Sequence, residues 1–590
     1  MMRTATALSA LALLVACSQP TSQTDTPPVS PEGAQADAGD SSAEPALLMP
    51  LPTDTTAAVT VEDLAQRIAM LADDTFEGRG PASEKGEQAA DWIAAEFDRI
   101  GLSPAGENGT WFQTVDMVEQ TLDQSASKLS FSGGASGAEM PMTLGETAVM
   151  WTKRINDLEL SFDNSELVFV GYGIVAPEYG WNDYAGLDMT GKTALILVND
   201  PGYARGDDLF KGRAMTYYGR WTYKYEEAAR QGATGAIIVH ETAPAAYGWD
   251  VVRNSWSGAQ ADLVRADGGA SRTVFEGWVT EDTARTLFTE AGLDFDTLKA
   301  AAQTEDFVAV DMANLTASGE IAQTVSTTQS RNVVGTLTGT TAPDEYVLVT
   351  AHWDHLGKKT GEKAGQPGQD FYRDEIYNGA VDNATGMAAM FEVAEGLADT
   401  PPQRSALFVA VTLEESGLLG SAFYAEHPTV PLKQIVAGVN FDAMRPVGRT
   451  NDMFVIGYGA SQLEDILKGV LEASGRIVRP DQHPEAGYFY RSDHISFAKK
   501  GVPMLYAKEG LDKIDGGEAA GEAWVATYTA QRYHKPMDEF NDTWDLSGTA
   551  EDVAAMLAVV RSIADSTDWP TWYPGNEFEA IRQASLAGEE

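Results

Sequence analysis

The chain has a single cysteine, Cys17, in 590 residues, which excludes an intramolecular disulfide. Base is scarce too. Lys and Arg number 41 against 87 Asp and Glu, a formal net charge of −46. Such a chain is repelled by phosphate backbones and anionic headgroups, so nucleic acid and direct binding to a lipid surface are discounted. No apolar run is long enough to span a bilayer; the longest candidate, residues 5–16, falls short of the roughly 20 residues a spanning helix needs. What remains is a globular composition, 43% hydrophobic and 22% charged, in a chain too long for one ordinary domain.

The one cysteine has a telling position. Arg3 gives a positive start, residues 5–16 are apolar, and Leu14-Val15-Ala16-Cys17 follows. This resembles a bacterial lipobox, in which small residues precede a cysteine that becomes the lipidated first residue. The resemblance implies a signal peptide over 1–16 and lipidation at Cys17. With Ser18 rather than Asp next, it points to an outer-membrane lipoprotein in the cell envelope, held by its lipid alone. Residues 17–58, rich in Pro, Ser, Thr, Ala and Asp, read as a flexible tether.

Ordered structure is expected from Val59. Leu64, Ile68 and Leu71 recur at helical spacing, as do Ala89, Ile93, Ala94 and Phe97 before Gly101. Residues 59–150 are assigned to the first part of a main domain. Residues 151–325 differ in pattern: Leu167-Val168-Phe169-Val170, Ala194-Leu195-Ile196-Leu197-Val198 and Ala236-Ile237-Ile238-Val239 are strand-like, with a short helix over 225–231. The phrases GYGIVAPEYGWNDYAGLDMTGKTALILVNDPG and KYEEAARQGATGAIIVH resemble a protease-associated (PA) domain, a smaller β-rich insertion. From Asn332, buried runs at 333–337, 346–349, 407–411, 435–439, 454–456 and 504–506 alternate with helical stretches, one lined by Met387, Met390, Phe391, Ala394 and Leu397. That alternation predicts an α/β fold: an open, mixed but mostly parallel sheet flanked by helices, over 326–565. A tail, 566–590, carries Trp569, Trp572 and Tyr573 and is free to pack on the core or on a partner.

In open α/β sheets functional groups gather at the carboxyl ends of strands. His352, Asp354 and His355 follow the run at 346–349; Glu414 and Glu415 follow 407–411; Asp442 follows 435–439. Asp382 and Asn383 precede a helix, and Tyr533 and His534 lie far downstream. Two histidines and three carboxylates can hold two divalent ions if one carboxylate bridges, and imidazole with carboxylate suits Zn²⁺, with Mn²⁺ or Co²⁺ as substitutes. Neighbouring glutamates on an extended backbone point opposite ways, so Glu414 and Glu415 divide into a base and a ligand.

The motifs AHWDHLG, GAVDNATGMAAMFEVAE, TLEESGLLGS, NFDAM, RSDHISFAKKGVP and YHKPMDEF resemble those of peptidase family M28, zinc aminopeptidases and carboxypeptidases, over roughly residues 59–565. The resemblance implies that His352, Asp382 and Asp442 bind one zinc ion and Asp382, Glu415 and His534 the other, with Glu414 as general base. It further implies that Asp354 orients His352, that Asp538 does so for His534, and that Tyr533 steadies the tetrahedral intermediate. A cis peptide is implied at Asp382-Asn383. His355 is expected to neighbour the site rather than ligate, and His494 to lie near the substrate pocket. The implied substrates are peptides cut at a terminus. An acid-lined mouth favours a free amine and hence an aminopeptidase; Arg445 and Arg491 are the candidates for gripping a terminal carboxylate in a carboxypeptidase. A glutaminyl cyclase and a non-catalytic receptor-like lipoprotein are the remaining alternatives.

Overall fold

The computed structural model describes residues 47–359 and 374–588; Cys17 and the expected signal peptide lie outside them. The main sheet has a parallel centre. The strand Ala342–His352 lies between Arg404–Val411 and Ile435–Phe441, and the latter pairs with Met504–Glu509, all parallel. Antiparallel neighbours extend both sides: Asp452–Val455 against Met504–Glu509, and residues 333–337 against Arg404–Val411. Arg404–Val411 is buried at every position, as strands covered on both faces must be. The α/β class with a mostly parallel sheet between helices therefore stands as the sequence predicts.

Helices cover the sheet for legible reasons. Val61–Leu71 starts at Thr60, whose hydroxyl accepts from the Asp63 N–H at 3.0 Å, and buries Leu64, Ile68 and Leu71. Glu84–Ile100 is capped by Ser83 and stops at Gly101, whose φ of 102° suits glycine. Thr385–Asp399 is buried on nearly every side because it is sandwiched between the sheet and the helices Val61–Leu71 and Ser547–Ala564. A buried charge cluster ties these layers. Arg67 meets Glu96 at 3.1 Å and Glu395 at 2.5 Å, and also pairs with Glu392.

A second sheet is attached through one long strand, Val310–Leu337. Its first part pairs with Glu159–Phe169 and Lys128–Ser132; its later part pairs with Phe112–Leu122 and enters the main sheet. From Glu159–Phe169 the second sheet continues in parallel through Lys192–Leu197, Gly235–His240 and Phe275–Thr280, then antiparallel to Ala148–Trp151. The helix Trp221–Arg230, longer at its start than the expected 225–231, links two of these strands.

Two expected boundaries shift. The second sheet already includes Lys128–Ser132 and Ala148–Trp151, so it begins before residue 151; the short strands and turns between 123 and 150 gave no change of pattern to mark the switch. Residues 47–58, assigned to the tether, pack on the core: Leu48, Met49 and Leu51 contact it, and the Trp92 indole N–H donates to the Pro50 carbonyl at 3.0 Å. The surrounding polar composition hid these apolar side chains. The tail packs inward, with Trp572 and Phe578 buried and the helix Glu579–Ala587 closing the chain.

Candidate metal centre

Strand geometry brings the predicted residues together. His352 ends the central strand, Asp442 follows the neighbouring one, and Glu414 and Glu415 follow the strand on the other side. The turn before Thr385–Asp399 supplies Asp382, and the Asp382–Asn383 peptide is cis, as expected. His352 Nε2 stands 3.3 Å from Asp382 Oδ1 and 3.8 Å from Asp442 Oδ1. The other Asp382 oxygen, Oδ2, is 3.3 Å from His534 Nε2, which lies 3.2 Å from Glu415 Oε2. One carboxylate thus faces two donor groups, one oxygen to each. Glu414 belongs to neither and lines the cavity beside them.

The turn is held by residues that motif reading undervalued. The Asn383 amide donates to the His352 and Phe441 carbonyls at 3.2 and 3.1 Å and accepts from the Gly386 and Ala443 N–H groups at 3.0 and 2.9 Å. Arg79 is buried and spends its guanidinium on carbonyls: Trp353 at 2.8 Å, Leu71 and Asn378 at 2.6 Å, Gly379 at 3.0 Å. Burial lowers it to about 10 despite nearby Asp354 and Asp538. The sequence signal available for Arg79 was only an arginine beside Gly78 and Gly80.

Three assignments change. The group nearest His352 Nδ1 is the Asp354 main-chain carbonyl, at 3.1 Å; the Asp354 carboxylate stands 3.9 Å from the same nitrogen and accepts from the Glu414 N–H at 3.1 Å. The adjacent backbone reaches the ring first, and the side chain turns to fix the next strand end. Asp538 does not serve His534. It accepts from the Val381 and Asp382 N–H groups at 3.2 and 3.1 Å and from the Tyr528 hydroxyl at 3.2 Å, bracing the turn instead. His355 is more than a neighbour: its Nδ1 is 2.5 Å from Glu415 Oε1, and it forms a donor group with Asp382 and Glu415. Tyr533 is 38% exposed, stacks on His534 with ring centroids 3.9 Å apart, and lines the cavity. His494 is buried between Phe489 and Tyr506.

The electrostatics suit a cation. Burial opposes charging His352, but Glu414, Asp382 and Asp442 together raise it well above the ordinary imidazole value. Burial likewise opposes ionising Asp382 and Glu415, yet the histidines hold both down, Glu415 to about 2. Glu414 behaves differently. Burial, then His352 acting against it, then Glu415, Asp442 and Asp493 adding repulsion, leave it well above the usual carboxylate range. His352 Nε2 is buried and makes no well-aligned hydrogen bond, with only the Asp382 and Asp442 carboxylates near it at 3.3 and 3.8 Å, which costs free energy unless a ligand satisfies it. With Nδ1 on a carbonyl, Nε2 presents its lone pair to the centre, the usual arrangement of a metal-binding histidine. The donor set therefore fits zinc. The cavity, about 580 Å³, is lined by Asp382, Glu414, Asp442, Arg491, Tyr506 and Tyr533 among others, within the range of small-ligand sites.

Residues 332–558 match the model described as "Peptidase family M28". A "Probable zinc metalloprotease" of Pyricularia oryzae is 30% identical over 28% of this chain and 33% of its own length. A "Glutamate carboxypeptidase 2 homolog" of Caenorhabditis elegans is 29% identical over 20% of this chain and 14% of its own. The chain spans a third or less of these curated relatives. Among solved structures, the aminopeptidase from Aneurinibacillus sp. strain AM-1 superposes with a TM-score of 0.45 at 18% identity, covering 86% of this chain and 94% of that one. BSAP, described as a zinc aminopeptidase from Bacillus subtilis, gives 0.39 at 16% identity, over 88% and 100%.

Proposed function

We propose that this chain is a zinc-dependent exopeptidase of family M28, acting as an aminopeptidase on peptide substrates. The carrying observation is Asp382 set between two donor groups, with Glu414 left uncommitted on the same cavity wall. His352, Asp382 and Asp442 would hold one ion; Asp382, Glu415 and His534 the other, with His355 as a further donor on that side. Bound there, the ions supply Lewis acidity, polarising the scissile carbonyl and acidifying water. Glu414 takes the proton of the attacking water and delivers it to the leaving amine. The Tyr533 hydroxyl, kept protonated by partial burial and by Asp382 and Glu415, donates toward the developing oxyanion. The Asp354 carbonyl keeps His352 in the tautomer that faces the centre.

Acidic groups around the cavity, Asp382, Glu414, Asp442, Asp481 and Glu522, support recognition of a free amine. Arg491 and Lys508 on the same wall favour the carboxypeptidase reading, whereas Arg445 is engaged by Glu509. Peptides free or blocked at each end, assayed with chelator and with added Zn²⁺, separate the two. Chelator-sensitive cleavage confined to free amino termini supports the aminopeptidase; cleavage of amino-blocked peptides at a free carboxyl end replaces it with the carboxypeptidase. No metal-dependent cleavage would refute both.

The second sheet is proposed as a PA-like domain over the cleft, and the chain as an outer-membrane lipoprotein lipidated at Cys17. Labelled fatty acid incorporated by the wild type and lost in Cys17→Ser tests the anchor; equal labelling of both refutes it.

A further inference from the structure

The second sheet and the peptidase sheet are joined by two matching clasps. In the first, the Tyr217 hydroxyl donates to Glu226 at 2.5 Å, and Glu226 pairs with Lys499 of the peptidase part at 3.2 Å. In the second the sides are exchanged. The Tyr490 hydroxyl donates to Glu577 Oε1 at 2.6 Å, and Glu577 Oε2 pairs at 2.7 Å with Lys211, on a connection of the second sheet. The two tyrosine rings meet between the clasps, centroids 6.1 Å apart. Each part gives a glutamate and a tyrosine and receives the other's lysine.

Tyr490 also belongs to a wall of the cavity. Pro484–Ala486 and Tyr488–Tyr490 are short 3₁₀ turns separated by Gly487, whose φ of 64° suits glycine. Their backbone bonds are local: the Gly487 N–H to the Pro484 carbonyl at 3.2 Å, Tyr490 to Gly487 at 3.0 Å, Arg491 to Tyr488 at 3.1 Å. Single turns of this kind have little stiffness of their own, so outside contacts set their place. The Met215 N–H takes the Pro484 carbonyl at 3.1 Å, Phe489 is buried with its ring centroid 4.6 Å from that of His494, and Glu577 holds Tyr490. The residues flanking this buried pair, Tyr488 and Arg491, line the cavity, with the guanidinium 5.3 Å from the Tyr488 ring centroid.

Glu577 suits this grip. Its side chain is only 3% exposed. Burial opposes its ionisation, yet Lys211 and the Tyr490 hydroxyl hold it below the usual carboxylate range, while burial and Glu577 keep that hydroxyl protonated. A charge-assisted hydrogen bond and an ion pair on one buried carboxylate are strong contacts, and losing either leaves the carboxylate short of a partner. Among the described residues neither Glu577 nor Tyr490 belongs to a metal donor group or lines the cavity, so both reach a bound molecule only through the wall.

We infer that Glu577 is a positioning residue for the substrate: by joining the Tyr490 hydroxyl to Lys211 it fixes the cavity wall that carries Tyr488 and Arg491. The wall is held from outside the peptidase sheet, by the tail on one side and the second sheet on the other. That a peptide meets this wall rests on the exopeptidase reading; that Glu577 fixes the wall does not.

The test uses the zinc-loaded full-length protein, read by hydrogen exchange with mass spectrometry and by steady-state hydrolysis of whichever end-blocked or free peptide the wild type cleaves fastest. Tyr490→Phe removes one oxygen and keeps the ring. Amides of residues 484–491 should exchange about tenfold faster in it, the order of one lost hydrogen bond, while Val61–Leu71 exchanges as in the wild type. KM should rise about tenfold with kcat within about twofold, because Glu414 and Tyr533 stand on other segments. Lys211→Met should act in the same direction and Lys211→Arg should keep most of the wild-type KM. The double variant Tyr490→Phe, Lys211→Met should fall short of the product of the single effects, since both act through Glu577. Unaltered exchange at 484–491 in Tyr490→Phe would overturn the clasp. Faster exchange with an unchanged KM, or a loss confined to kcat, would overturn its role toward substrate. A wild type that cleaves no peptide refutes the peptidase reading and the substrate with it, while the exchange result still decides whether Glu577 fixes the wall.

Discussion

Replacing Glu414 with glutamine separates base catalysis from metal binding more cleanly than any other change in the centre. Glu414 belongs to neither donor group, so its substitution leaves His352, Asp382, Asp442, Glu415 and His534 in place. The strand end is fixed through the Glu414 main-chain N–H on Asp354, a contact independent of the side chain. Glutamine has the same shape and no charge, and burial with Glu415, Asp442 and Asp493 nearby already penalises the carboxylate. Folding stability should therefore hold or rise slightly. Removing a positioned general base costs about 10²- to 10⁴-fold in rate, which corresponds to about 3–5 kcal/mol in the barrier. Since binding is untouched, the loss should fall on kcat with KM near its wild-type value. The assay pairs steady-state hydrolysis of an amino-terminally free peptide with zinc content by mass spectrometry and a melting curve. Turnover within tenfold of wild type at full zinc content would refute the assignment, and so would loss of zinc from a folded variant.

Asp382→Ala removes an oxygen from each donor group at once, so zinc should fall at both positions; a folded variant with wild-type zinc content would rule out the bridging role. Asp538→Ala frees the Val381 and Asp382 N–H groups, and supporting contacts of this kind are worth roughly 10- to 100-fold in metal affinity. Activity should return with excess Zn²⁺, and failure of zinc titration to restore it would contradict a bracing role. Arg67→Ala strands Glu392 as a buried carboxylate, while Glu96 keeps Arg99 at 2.6 Å, a change that costs about 3–5 kcal/mol; a denaturant midpoint unmoved from wild type would contradict this. His494, pushed down to about 3 by burial, remains neutral in the fold while the unfolded chain takes a proton below about 6.5. Its contribution to stability is intact above that pH and is lost as pH falls toward 3, about 2 kcal/mol by pH 5. His494→Leu should flatten the decline in unfolding free energy between pH 7 and 5, and an unchanged slope would count against it.

The central strands were legible because burial on both faces leaves uninterrupted apolar runs, as at 407–411 and 435–439. The polar residues ending those runs were legible for the same reason: in such a sheet they have only the carboxyl edge to occupy. His352, Asp442, Glu414 and Glu415 were found that way. Asp382 and His534 were not; they sit on a turn and a loop, and motif resemblance placed them. Partnerships were the least legible. Whether Asp354 meets His352 through its carboxylate or its carbonyl depends on how the chain turns after the strand, which residue spacing does not encode. Arg79 binds only carbonyls, so no complementary side chain betrays it in the sequence.

Those carbonyl and amide contacts explain how the centre keeps its shape with so much like charge in it. Asp382, Glu414, Glu415 and Asp442 repel one another, and the chain's net charge of −46 adds to the repulsion. Cohesion comes from groups that do not compete for the donor atoms. Arg79 brings a positive charge beneath the turn but binds only main-chain oxygen, and Asn383 joins the ends of two strands through neutral hydrogen bonds. Asp538 binds N–H groups rather than imidazole. Each leaves the Asp382 oxygens and His352 Nε2 facing inward. A salt bridge from Arg79 to any of the four carboxylates would stabilise the apo fold and occupy the oxygens that zinc needs. Spending the guanidinium on carbonyls positions the loops while keeping the anionic centre open to a cation.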